Sequence, residues 1–115
     1  MAGKRREPMD NFEAVYKILT ELEKAMDFAE YDPEESITPK KLKVSDERFA
    51  RYIEMMQDVG YVKGADMYID TAGYTHVEYS DMRITLKGLE YLQENSIMRK
   101  IYKTAKGIKE TVPGL

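Results

Sequence analysis

The sequence predicts one α+β domain, and three observations lead there. Apolar residues recur at three- and four-residue steps over residues 10–29 and again over 45–59, the spacing that gathers them on one helix face. From Tyr61 to Ile84 that spacing gives way to β-formers arranged around Thr71-Ala72-Gly73. Helical spacing returns at Thr85.

Met1 to Met9 is charged and carries Pro8, so residues 1–9 read as a flexible tail ahead of a domain over 10–112. Asp10 with Glu13 has the form of a capping box opening a first helix. Its apolar stripe is Phe12, Val15, Tyr16, Leu19, Leu22, Met26 and Ala29, widened by Ile18 and Ala25. Residues 30–35 (EYDPEE) read as a loop with Asp32-Pro33 as its turn, and Ile37 as a very short strand. Thr38-Pro39 opens a short second helix, with Thr as cap and Pro at the first helical position. Ser45 caps a third, with Asp46 and Glu47 in its first turn and Phe49, Tyr52, Ile53, Met56 and Val59 as its buried stripe. Gly60 suits the C′ position.

In the β region, Gly64 marks a bulge or bend. The alternation of Val77 and Tyr79 slips phase before Met82 and Ile84, which places a second bulge near Ser80-Asp81. Thr85 caps a fourth helix carrying Leu86, Leu89 and Leu92, and a fifth covers residues 97–111.

Helix, short helix, helix, β-hairpin is the order of a winged helix-turn-helix, here with an additional C-terminal helix. Lys43-Val44-Ser45 supplies the tight turn between the second and third helices. Val59-Gly60-Tyr61-Val62-Lys63-Gly64 and Ile84-Thr85-Leu86-Lys87-Gly88-Leu89-Glu90-Tyr91-Leu92 flank the hairpin, and the I-T-x-K-G-x-x-Y-L pattern is similar to the end of the wing in many winged-helix regulators. The run from Ile101 to Glu110 resembles the tail of the YjcQ-like family, small winged-helix proteins of Gram-positive bacteria and their phages. The resemblance covers most of residues 12–110 and implies the fold more than an activity.

The chain of 115 residues has 18 basic and 21 acidic side chains. Attraction to phosphate must therefore come from local patches rather than from net charge. In a winged helix the third helix enters the major groove. Lys40, Lys41, Lys43, Ser45, Arg48, Arg51 and Gln57 are the candidate DNA contacts, the lysines for backbone phosphates and Arg48, Arg51 and Gln57 for bases or phosphates. Glu54 and Asp58 oppose that role, Glu47 can pair with Arg51, and the hairpin carries Asp66 and Asp70 against Lys63 and Arg83.

On a helical wheel Ile97, Met98, Ile101, Ala105, Ile108 and Val112 share one arc, opposite Arg99, Lys100, Lys103, Lys106 and Lys109. The arc packs within the fold or, from Ile97 to Ile108, forms an oligomer interface in a homodimer or with a partner protein. A membrane-surface role would want Trp or Phe.

With no cysteine there is no disulfide or thiolate zinc site, and His76 is the single imidazole. No catalytic, cofactor-binding, metal or small-molecule signature appears, nor an apolar run of membrane-spanning length. The expectation is a cytoplasmic, non-enzymatic protein that binds double-stranded DNA, a transcriptional regulator of bacterial or phage origin. The alternative is a winged helix used for protein interaction without DNA.

Overall fold

The computed structural model describes residues 11–95. The tail over 1–9, the Asp10 cap, the helix over 97–111 and the interface residues Ile97, Met98, Ile101, Ala105 and Ile108 lie outside them.

Helix α1 runs Asn11–Lys24 and ends in a 3₁₀ turn, Ala25–Asp27. It stops short of the expected Ala29 because Phe28 is extended and Met26, Phe28 and Ala29 all face solvent, where no packing holds further turns. The buried line is Ala14, Ile18, Leu19 and Leu22 with Tyr16 and Ala25, so the stripe is rotated from the expected one and Phe12 and Met26 are exposed.

The expected loop at 30–35 contains a helical turn, α2 (Pro33–Ser36). Asp32 caps it, its carboxylate accepting from Glu34 N at 3.0 Å. Ile37 is its buried C-cap, not a strand.

Helix α3 (Pro39–Leu42) follows, capped by the Thr38 hydroxyl accepting from Lys41 N at 3.1 Å. It closes with Lys43 N donating to Lys40 O and Val44 N to Pro39 O, a Schellman arrangement that puts Lys43 in the left-handed region at φ 61°.

Helix α4 (Asp46–Asp58) is capped by Ser45, whose hydroxyl accepts from Arg48 N at 3.0 Å. It ends the same way, with Gly60 N donating to Gln57 O and Tyr61 N to Met56 O, and Gly60 at φ 91° as expected. Val59, expected in the buried stripe, is the C-cap and half exposed.

The hairpin is two short antiparallel pairs in series. Strands β1 (Val62–Lys63) and β4 (Arg83–Ile84) form its base, β2 (Asp66–Ile69) and β3 (Thr75–Glu78) its outer part. Between the pairs lie Gly64-Ala65 on one side and Tyr79-Ser80-Asp81-Met82 on the other, so both expected irregularities meet at one joint. The longer side lets Tyr79 and Met82 both turn into the core. Gly64 permits the joint to close: a Cβ there would lie 2.3 Å from Asp81 O.

Helix α5 (Leu86–Glu94) leaves β4 with Thr85 as cap, accepting from Gly88 N at 3.1 Å and donating to Gly60 O. Leu86, expected on its apolar face, points to solvent, and buried Gly88 takes the inner position.

One core unites these elements. Ile18, Leu19 and Leu22 of α1 meet Phe49, Tyr52, Ile53 and Met56 of α4, with Ile37, Leu42, Val62, Tyr79 and Met82 closing the edges. The domain is α+β and its element order is compatible with a winged helix-turn-helix.

Candidate nucleic-acid interface

The α3–α4 corner gathers most of the candidate DNA contacts. Lys40, Lys41, Lys43, Ser45, Arg48 and Arg51 are all exposed there. Lys40, Lys43 and Arg51 make no side-chain hydrogen bond or ion pair among the described residues. Lys41 Nζ reaches Glu35 O at 3.4 Å, and the Ser45 hydroxyl is committed as a cap acceptor. Arg48 Nη1 donates to Asn11 Oδ1 at 2.9 Å, and the Tyr52 hydroxyl donates to the same oxygen at 2.7 Å. That shared acceptor orients Arg48 against α1 while its charge stays at the surface.

Lys43 occupies an unusual backbone state. It is the sole non-glycine with positive φ among the described residues. An L-residue in that region costs about 1–2 kcal/mol, which is why glycine usually fills it. The lysine there is exposed, on the turn that joins the two helices.

Gln57 does not join the set. Its amide Nε2 donates to Ala65 O and its Oε1 accepts from Ala65 N, each at 2.9 Å. The side chain serves as a two-pronged clamp on the wing joint, so its amide is engaged within the fold rather than offered to a base. Glu47 likewise turns away from its expected partner Arg51: its Oε2 accepts from Thr75 N at 3.0 Å, tying the outer wing to α4. A third tie runs through Tyr79. Its hydroxyl donates to Ile37 O at 2.6 Å, its backbone N to Glu34 Oε2 at 2.8 Å, and its ring packs on Phe49 at 5.2 Å. Burial first, then the charges of Glu34 and Asp32, push the Tyr79 phenol up to about 12.

The wing tip is organised by Asp70. Its carboxylate accepts from Ala72 N and Tyr74 N and from His76 Nε2 at 2.7 Å, and these bonds hold it below the usual carboxylate range, the His76 contact foremost. His76 is a surface histidine stacked on Tyr68. The tip presents Tyr68, Ile69 and Tyr74 to solvent rather than Arg or Lys.

A groove of about 710 Å³ runs along the exposed side of α4. Ser45, Glu47, Arg48 and Arg51 line one end; Phe12, Val15, Met55, Val59, Tyr61 and Tyr91 make the rest largely apolar. Phe12 is 63% exposed, Met55 52% and Val59 49%. Sequence reasoning missed Met55, Phe12 and Asn11. The signal for Met55 was there, since it lies four residues past Arg51 and shares its helix face. Nothing in the sequence pointed to Asn11, whose partners lie 37 and 41 residues away.

The family model described as YjcQ protein matches residues 16–111, so the chain belongs to the YjcQ family. No curated protein and no solved structure matches it. Among the described residues no helix is long and apolar enough to cross a membrane.

Proposed function

We propose that this YjcQ-family chain is a small, non-enzymatic duplex-DNA-binding protein, a cytoplasmic transcriptional regulator of bacterial or phage origin. Lys40, Lys41, Lys43, Arg48 and Arg51 are its phosphate and base contacts. The observation that carries the reading is Lys43, a cation kept in a left-handed turn where glycine would be less strained, between two helices that expose the other four. A residue that costs stability at an exposed position is best accounted for by what it contacts. Lys40, Lys41 and Lys43 suit phosphate, and Arg48 and Arg51 project from the first two turns of α4, the part that meets base edges when such a helix lies in the major groove. Glu54 and Asp58, on the later turns, face away from close phosphate approach if α4 enters by its N-terminal half.

Fluorescence anisotropy with a labelled mixed-sequence duplex at several salt concentrations tests this. Three phosphate contacts from the lysines, or five if both arginines also reach phosphate, would give a log–log salt slope of about −3 to −5. Arg48→Ala and Arg51→Ala are each expected to weaken binding. Absence of binding at low salt, or unchanged affinity in both variants, removes the reading. The alternative, a protein-interaction module, is favoured by one observation, the apolar groove on the same helix.

A further inference from the structure

We infer that Asn11 and Tyr52 are positioning residues for Arg48, and that they make Arg48 the reader of a guanine while Arg51 and the lysines hold phosphate. The inference rests on the DNA-binding reading above and adds a base preference to it.

Arg48 is fixed at both ends. It lies in the first turn of α4, where its backbone N donates to the Ser45 hydroxyl at 3.0 Å. Its Nη1 donates at 2.9 Å to Oδ1 of Asn11, the first residue of α1. The same oxygen accepts from the Tyr52 hydroxyl at 2.7 Å. Tyr52 is 3% exposed and belongs to the core, so the bonds run from a buried phenol through an amide to a surface guanidinium. No acid stands at helical ion-pair spacing from Arg48, where the neighbours are Val44, Ser45, Arg51 and Tyr52. Glu47 is engaged by Thr75 N. Arg51, by contrast, makes no side-chain hydrogen bond or ion pair among the described residues.

That contrast divides the roles. A phosphate accepts from a cation over a wide range of directions, so a loosely held side chain serves. A guanine edge offers O6 and N7 in one plane and takes two N–H groups side by side, which requires the guanidinium plane to be set. Asn11 occupies one of the several N–H groups of Arg48, and enough remain for a two-pronged contact. Gln57 has no such reserve, since both of its groups are engaged. Ordering Arg48 in advance removes a cost that binding would otherwise carry.

The full-length protein and its variants are each mixed with a pool of duplexes randomised at the centre, and the bound and unbound fractions are sequenced. Anisotropy gives the salt slope and circular dichroism the fold. The parent is expected to prefer guanine at one position per bound site by about 5- to 150-fold, the range of a good bidentate pair. Arg48→Ala abolishes that preference. Asn11→Ala lowers it by about 2- to 13-fold, the cost of ordering one long side chain on binding, and leaves the salt slope at the parent's value. Asn11→Asp keeps an acceptor oxygen in the same place and restores the preference. Tyr52→Phe keeps the ring, lowers the preference in the same direction, and serves should Asn11→Ala fail to fold. A merely structural role for Asn11 would lower thermal stability and leave the base preference alone. That result, an unchanged preference in both Asn11→Ala and Tyr52→Phe, or a parent that binds every sequence equally, overturns the inference and leaves DNA binding standing. A parent that binds no duplex at low salt removes the proposed function itself, and this inference with it.

Discussion

Substitution of Lys43 separates stability from DNA binding, because the two should move in opposite directions. At φ 61° the lysine carries the left-handed penalty of about 1–2 kcal/mol. Lys43→Gly relieves it, offset by the greater freedom glycine has in the unfolded chain, about 0.5–1 kcal/mol. The net expectation is a gain of about 0.5–1 kcal/mol, a rise of about 2–5 °C in Tm for a domain of this size. The backbone bonds of the turn, Lys43 N to Lys40 O and Val44 N to Pro39 O, do not involve the side chain and persist. On the proposed function the same substitution would remove one phosphate contact, so DNA affinity should fall and the log–log salt slope should shrink by about 0.9. Lys43→Ala keeps the strain and loses the charge, and should match Lys43→Gly in DNA binding without its stability. Thermal melts by circular dichroism and anisotropy titrations on the three proteins suffice. Destabilisation by Lys43→Gly would refute the strain argument; an unchanged salt slope would refute the phosphate contact.

Other consequences are equally open to measurement. Gly88→Ala normally stabilises a helix by up to about 1 kcal/mol. Here the new Cβ would lie 2.4 Å from Tyr61 O and 2.7 Å from Ile84 Cγ1, so overpacking wins and urea melts should show a net loss of about 1–3 kcal/mol; a stabilised variant would contradict the packing. Gln57→Ala removes both bonds to Ala65 and should cost about 1–2 kcal/mol while leaving DNA affinity intact. A large affinity loss in a still-folded protein would return Gln57 to the contact set. Tyr79 favours its neutral form when folded, so its contribution is complete below pH 10 and lost as pH rises towards about 12. Phenolate absorbance and circular dichroism should report coupled alkaline unfolding in that window, and Tyr79→Phe should abolish the coupling.

Much of this architecture is legible in local chemistry. The caps at Thr38, Ser45 and Thr85 make the bonds their types foretell, and Gly60 ends α4 as expected, because capping depends on residues within one turn. The slip between Tyr79 and Met82 announces the wing joint, because alternation of side chains is fixed by the pleat. What could not be read is which of several apolar residues a helix turns inward. Phe12, Met26, Val59 and Leu86 share the spacing of a stripe yet face water, since rotation is decided by neighbours distant in sequence. For the site, the exposed cations follow from composition, whereas the diversion of Gln57 to Ala65 and of Glu47 to Thr75 depends on where the hairpin lands. The turn α2 was hidden by its shortness: Asp32-Pro33 signals a cap and a first helical residue as much as a bend.

The three ties on the wing, from Glu47, Gln57 and Tyr79, have a mechanical consequence. One tie holds the outer strand and two hold the joint, so any swing of the hairpin away from the helices must break at least one of these bonds. On the function proposed above, a duplex that met both the hairpin and α4 would find the angle between them already set by these bonds, and sequences that bend easily would gain the advantage.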